Sequence, residues 1–368
     1  MTEWREVKLG DICTSIQYGY TESATFDPVG PKFLRITDIV PNFINWSTVP
    51  YCKIDKENYE KYKLDVGDIV IARTGATTGY NKRIKDSINA VFASYLIRFK
   101  INKEIANDCF ISYVLKSDSY FGFIDNAIGG SAQPGINARV LSQFSFLLPP
   151  LPEQKAIAEV LSSLDDKIDL LTRQNKTLED LAQAYFRKWF IEDASDEWEE
   201  IPLGQLFVIS SGKGLKKEKF TEHGQYRVLG ANGEIGKTNE YLFNERLIYT
   251  GRVGTLGNVF IVDREPVWLS DNTLVFRNIK YFFFVYFSLK WANLADYNVG
   301  STQPLIRQSD IKEIRVFMPD KERLDSFENL ANSIFAKINS NQKQIQLLQK
   351  LRDTLLPKLI SGEIRLKM

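Results

Sequence analysis

The run Leu147–Asp169, LLPPLPEQKAIAEVLSSLDDKID, decides how this chain is read. Pro149 and Pro150 bar a helix from starting earlier, and Pro152 suits a first helical turn, where a missing N–H costs nothing. Beyond them Ile157, Leu161, Leu164, Ile168, Leu171, Asn175, Leu178, Ala182 and Tyr185 recur by alternating fours and threes. That is a heptad seam with one polar member, Asn175. The seam predicts a helix of roughly 35 residues, ~50 Å long at 1.5 Å per residue. A lone helix with such a stripe must bury it against a partner.

The partner is found by comparing the chain with itself. Trp4–Gly10 (WREVKLG) matches Trp198–Gly204 (WEEIPLG), and Gly130–Ile136 (GSAQPGI) matches Gly300–Ile306 (GSTQPLI). The second match, at an offset of 170, continues unbroken through Pro149/Pro319, Ser163/Ser333, Lys167/Lys337, Gln174/Gln344, Leu178/Leu348 and Lys188/Lys358. Between these anchors Ile71–Gly75 (IARTG) resembles Tyr249–Gly254 (YTGRVG) more loosely. The first offset is 194, so the second copy is shorter by 24 residues in its middle. Its helix carries the seam Phe327, Ala331, Ile334, Ile338, Asn341, Ile345, Leu348, Arg352 and Leu355, and Gly362 follows it.

Charge makes the two helices complementary. Residues 151–195 hold six basic and nine acidic side chains, net −3, whereas residues 321–368 hold nine and five, net +4. The simplest arrangement is an antiparallel coiled coil within one chain, giving the two halves pseudo-two-fold symmetry. The alternative is that each helix packs on its own globule. The expected organisation is α+β: globules over 1–150 and 196–320, a central helix over 151–195 and a C-terminal helix over 321–368. Strands are expected around Gly67–Ala72 and Tyr95–Phe99, and helices over Asp108–Leu115 and Phe282–Trp291.

Catalytic chemistry is hard to find. Lys plus Arg is 47 against 46 for Asp plus Glu, so any basic face must be segregated from acids elsewhere. Cys13, Cys52 and Cys109 have no metal-ligand spacing, and His223 stands alone. The methyltransferase tetrapeptide [DNS]-P-P-[FY] is absent, since Leu148–Leu151 has only its prolines. Gly230–Thr238 (GANGEIGKT) departs from a phosphate loop at Ala231. The charged start of the chain is unlike a secretion signal. The longest apolar run, Tyr281–Leu289, is far below a membrane span, so a cytoplasmic protein is expected.

Binding remains, and the polar clusters suit nucleic acid. In the first globule these are Arg73, Thr74, Tyr80, Lys82, Arg83, Lys85 and Gln133. In the second they are Lys213, Lys216, Lys217, Lys219, Arg252, Asn258 and Gln303. Lys and Arg neutralise phosphates, while Arg pairs with guanine and Asn or Gln with adenine. For each cluster a plain solvated turn is the competing reading.

The organisation resembles the specificity subunit of a type I restriction–modification system. The resemblance is carried by Trp4–Gly10, Gly130–Ile136, Leu147–Asp169 and the tail Leu351–Leu366 (LRDTLLPKLISGEIRL). Met318–Glu322 (MPDKE) departs from the proline-rich run of the first copy. The resemblance implies two target-recognition domains that each read one half of an asymmetric double-stranded DNA site, with the helices setting their separation. It also implies two methyltransferase partner subunits, restriction subunits in the full complex, and S-adenosylmethionine, ATP and magnesium used by those partners rather than by this chain. The competing functions are a coiled-coil scaffold that never touches DNA and a fused nuclease or methyltransferase.

Overall fold

The computed structural model describes residues 4–41, 43–129 and 135–366. The chain divides into two compact units, Met1–Arg173 with Gln342–Met368, and Gln174–Asn341. The units therefore cut across the four segments expected from sequence, because each long helix contributes one part to each unit.

The first unit is built on a four-stranded antiparallel sheet in the order Cys13–Tyr18, Leu96–Ile101, Ile69–Ala72, Asn81–Arg83. Ile69–Ala72 is buried on both faces, which explains its uninterrupted apolar sequence. Lys32–Leu34 pairs in parallel with Ala90–Phe92, and Arg5–Lys8 pairs antiparallel with Ser145–Leu148. The second unit repeats this plan. Its four-stranded sheet runs Val208–Ser211, Thr273–Arg277, Leu247–Gly251, Val259–Val262. Tyr226–Gly230 pairs in parallel with Val267–Leu269, and Glu199–Pro202 pairs antiparallel with Arg315–Met318. The length difference falls in the middle of each copy. The first unit has the helix Lys56–Tyr62 there, and the second has the hairpin partner Gly233–Thr238. Helices Asp108–Val114 and Phe282–Trp291 form where expected.

The long helices span Leu151–Arg187 and Lys321–Ile360. The second stops two residues before Gly362, whose φ of 77° needs a glycine. Within each unit the two helices run antiparallel. In the first, the Arg352 guanidinium donates to Asp165 at 2.8 Å, and Arg365 lies 3.9 Å from Glu153. In the second, Asn341 Nδ2 donates to Asn175 Oδ1 at 2.8 Å and to Gln174 Oε1 at 2.9 Å. The two polar seam residues thus meet each other, which fixes register where Leu or Ile would allow slippage.

Each helix also packs on the globules. Ile157, Ala158 and Leu161 join the sheet core of the first unit, and Ala182, Phe186 and Phe190 join that of the second. Tyr185, expected in the seam, is instead exposed, and Phe186 takes the buried place. An ideal helix drifts about 20° per heptad against a strict seven-residue repeat. Four heptads beyond Ile157, that drift returns the apolar face to the next residue.

The junction of helix and globule differs between the copies. In the first unit the Tyr113 hydroxyl donates to Asp165 at 2.8 Å, Arg352 pairs with the other oxygen, and Lys116 lies 3.7 Å away. The positions 170 residues from Asp165 and Arg352 are Phe335 and Ala182. There Phe335 packs against Phe283, Tyr286 and Phe287. Removing the carboxylate takes this partner from the Tyr113 phenol and from Lys116, and leaves Arg352 with Asp353 alone. Asp165→Ala is expected to cost about 3 kcal/mol, checked by urea denaturation. Burial alone would raise the Asp165 carboxyl, but Lys116, Arg352 and Tyr113 outweigh it and hold it below its ordinary 3.8. A depressed carboxylate stabilises fully above its unfolded value and loses that contribution as pH falls through the folded one. Denaturation midpoints should therefore fall below pH 4, and Asp165→Asn should flatten that acid limb.

Candidate nucleic-acid interface

Arg73 and Arg252 occupy corresponding turns. Each follows a central strand of its four-stranded sheet, and each is followed two residues later by a glycine in the left-handed region, Gly75 at φ 80° and Gly254 at φ 85°. A side chain on either glycine would meet only open space, so both turns are accessible and glycine is required by conformation alone. The Arg73 carbonyl accepts the Ile136 amide at 2.8 Å, and the Arg252 carbonyl accepts the Ile306 amide at 3.0 Å. Ile136 and Ile306 close the two Gly-Ser-x-Gln-Pro repeats. In both copies, then, the segment after that motif is pinned beside the arginine. Bridges Thr74–Gly135 and Val253–Leu305 repeat the same contact.

The Nε atoms of both arginines are buried and have no hydrogen-bond partner among the described residues. The Arg73 guanidinium stacks 4.9 Å from the centre of the Tyr18 ring, which orients it. Tyr18, Tyr80 and Tyr95 are exposed in the same unit, and Tyr18 and Tyr95 were not singled out from sequence. The Tyr95 carbonyl accepts the Arg73 amide at 3.0 Å, which places this aromatic residue beside the turn. Thr74 is half-buried. Gln133 lies outside the described residues, and Gln303 is exposed.

In the second unit Lys213, Lys216 and Lys217 are exposed, and none makes an ion pair among the described residues. Lys219 is paired with Glu240 at 2.6 Å. Asn258 Nδ2 donates to Asn232 Oδ1 at 2.8 Å, tying the loop after Arg252 to the hairpin at Gly230–Gly233.

Three expected contacts go elsewhere. Arg83 pairs with Asp108, and Lys85 pairs with Asp166 at 2.8 Å and approaches Asp169 at 3.9 Å. Lys82 donates to the Pro41 carbonyl at 2.6 Å, and burial lowers its ammonium to about 8. These cations line a polar cavity against the first long helix, together with Tyr113 and Asp165. Their clustering in sequence reflects a strand edge facing the first long helix, and in the structure all three side chains are engaged within the unit. The acidic partners lie 25 residues from Arg83 and 81 from Lys85 along the chain, so both were invisible to local reading.

The thiols are unsuited to nucleophilic chemistry. Burial pushes Cys13 up to about 12 and Cys52 up to about 11, and raises Cys109 as well. Among the described residues no group of His, Cys, Asp and Glu is placed to hold a metal ion. No helix there is long and apolar enough to cross a membrane.

The family described as the type I restriction modification DNA specificity domain matches residues 1–180 and 195–353. The chain belongs to that family. It is 27% identical over 346 residues to the MjaIX specificity subunit of Methanocaldococcus jannaschii, across 82% of this chain and 76% of that protein. It is 22% identical to the HindI specificity subunit of Haemophilus influenzae, across 99% of this chain and all of that one. The crystal structure of a type I restriction–modification S subunit from M. genitalium matches 97% of this chain and 96% of its own, with a TM-score of 0.64 at 20% identity. That likeness is one of fold, and it agrees with two repeated α+β domains.

Proposed function

We propose that each unit reads one half of a bipartite, asymmetric double-stranded DNA site. The long helices act as an antiparallel coiled coil that sets the gap, and two methyltransferase subunits bind this chain and perform the chemistry. In this reading the chain has no catalytic role. S-adenosylmethionine, ATP and magnesium serve the methyltransferase subunits and any restriction subunits that join them.

The observation that carries the reading is the repeated turn: Arg73 and Arg252, each with a buried unpartnered Nε, each beside an open glycine turn and the end of a Gly-Ser-x-Gln-Pro segment. Arginine held by its neighbours in a solvent-facing turn suits bidentate contact with phosphate or guanine. The surroundings differ, with tyrosines beside Arg73 and lysines and Asn258 in the other unit. Unlike surroundings on a shared frame suit unlike half-sites.

The test is methylome sequencing of a host carrying the methyltransferase partner with and without this chain. One split, non-palindromic methylated motif is the expected result, and exchanging residues 1–150 for those of another family member should change only one half. Arg73→Ala and Arg252→Ala should each weaken DNA binding by about 1–3 kcal/mol. Lys216→Ala with Lys217→Ala should lower the salt slope by about two if both contact phosphate. A stable partner complex that deposits no methylation, and DNA affinity indifferent to Arg73→Glu with Arg252→Glu, would establish a scaffold instead.

A further inference from the structure

Both units build the same sheet edge around their arginines. In the first, Ile71, Ile97 and Tyr18 stand side by side on adjacent strands, and in the second Thr250, Leu274 and Ser211 do. Arg73 lies two residues past Ile71, and Arg252 two past Thr250. On the neighbouring strand Tyr95 lies two residues before Ile97, and Asn272 two before Leu274. The Asn272 carbonyl accepts the Arg252 amide at 2.7 Å, as the Tyr95 carbonyl accepts that of Arg73. Tyr95 and Asn272 therefore hold one and the same place in the two copies, beside the arginine.

Packing and turn conformation account for neither side chain. Tyr95 is 60% exposed. Asn272 is exposed too, and its carboxamide makes no hydrogen bond among the described residues. Asparagine is common in turns because it tolerates the left-handed region, but Asn272 is not in that region. The turn is closed instead by Thr273, whose amide and hydroxyl both donate to the Ser270 carbonyl, at 3.1 and 2.7 Å. The carboxamide is thus left with its donor and acceptor facing water.

The surrounding side chains change together with this one. The Tyr18 hydroxyl accepts the Ala138 amide at 3.0 Å while its ring carries the Arg73 guanidinium. At the corresponding positions of the second unit, Ser211 Oγ accepts from Gln308 Nε2 at 3.2 Å. The backbone frame is kept, and the groups that face outward from it are exchanged. Asp271, exposed and next to Asn272 in the chain, adds a carboxylate. Phosphate repels a carboxylate, whereas the amino group of cytosine donates to one, so this edge suits a groove rather than the phosphate backbone.

We propose that Asn272 and Tyr95 are specificity-determining residues at this shared place, and that the Asn272 carboxamide pairs with an adenine one step from the base pair that Arg252 contacts. This rests on the reading that each unit recognises a half-site, and it assigns residues to that recognition. A carboxamide presents one donor and one acceptor that match N7 and the N6 amino group of adenine in the major groove. Adjacent strands lie about 4.8 Å apart and adjacent base pairs about 3.4 Å, so neighbouring side chains on this edge reach neighbouring pairs. A tyrosine ring lacks that paired donor and acceptor, so the same place in the first unit selects a different base step.

The test is methylome sequencing of the full chain with its methyltransferase partner, backed by binding to duplexes altered one base pair at a time. Asn272→Ala should accept any base at one A·T pair of one half-site, with the other half and the gap unchanged. Its preference at that pair should fall about ten- to a hundredfold in binding. Arg252→Ala should relax a pair no more than one step away, and Tyr95→Ala should alter the opposite half alone. Both Asn272→Ala and Tyr95→Ala should keep the circular-dichroism melting of the unaltered chain, since both side chains are exposed. An unchanged motif, relaxation at a G·C pair, or a loss of affinity equal for all duplexes overturns the assignment while half-site reading stands. An unaltered chain that directs no split motif overturns the underlying reading and the assignment with it.

Discussion

Deleting Ile168–Gln174 from the first long helix and Gln342–Leu348 from the second should shorten the recognised gap by about three base pairs and leave both half-sites unchanged. One heptad advances a helix by ~10.5 Å, and B-DNA rises 3.4 Å per base pair. The cuts are chosen from the contacts. Asp165 still meets Arg352, and Asn175 still meets Asn341, because equal lengths leave the two helices between those pairs. Seven residues make nearly two full turns, so each globule keeps almost the same rotation about the helix. Methylome sequencing reads the result directly. Altered half-sites with an unaltered gap would remove the spacing role from the helices.

Phe186→Ala should be the most damaging single truncation in the second unit. Phe186 is 2% exposed and packs against Phe190, Phe284, Phe287 and Phe327, so residues of both long helices and of Phe282–Trp291 meet on its ring. Deleting a buried phenylalanine side chain costs about 3–5 kcal/mol, part of it for the cavity left behind. For a unit of this size that is a fall in melting temperature of roughly 10 °C. Phe186→Leu should recover most of it, since a leucine refills much of the space. Differential scanning calorimetry distinguishes the two. The same position in the other copy is Leu356, half-buried, and its truncation should cost less.

The two junctions clarify what a repeat preserves. Asp165 with Arg352 and Tyr113 forms a polar joint, while Phe335 with Phe283 and Phe287 forms an aromatic one at the corresponding place. Geometry is retained and chemistry is exchanged. An ion pair and an aromatic contact both hold a helix to a domain, but each does so only if its partners change together.

Much was legible before folding because it is local or periodic. The heptad stripe announces both long helices, and their pairing follows from the need to bury it. The internal matches announce two copies of one α+β unit, and glycines at 75 and 254 announce open turns beside Arg73 and Arg252. Local chemistry also marks Phe282–Trp291 as a helix, to its end residues. Tertiary structure alone decided which cations are free. Lys82, Arg83 and Lys85 read as a basic patch, yet Lys82 donates to the Pro41 carbonyl, Arg83 pairs with Asp108 and Lys85 with Asp166 and Asp169, all from other parts of the chain. It also decided that Phe186 rather than Tyr185 is buried, and that Tyr18 stacks on Arg73. Charge and burial depend on neighbours distant in sequence, whereas helical period and turn conformation are set by each residue and the few beside it.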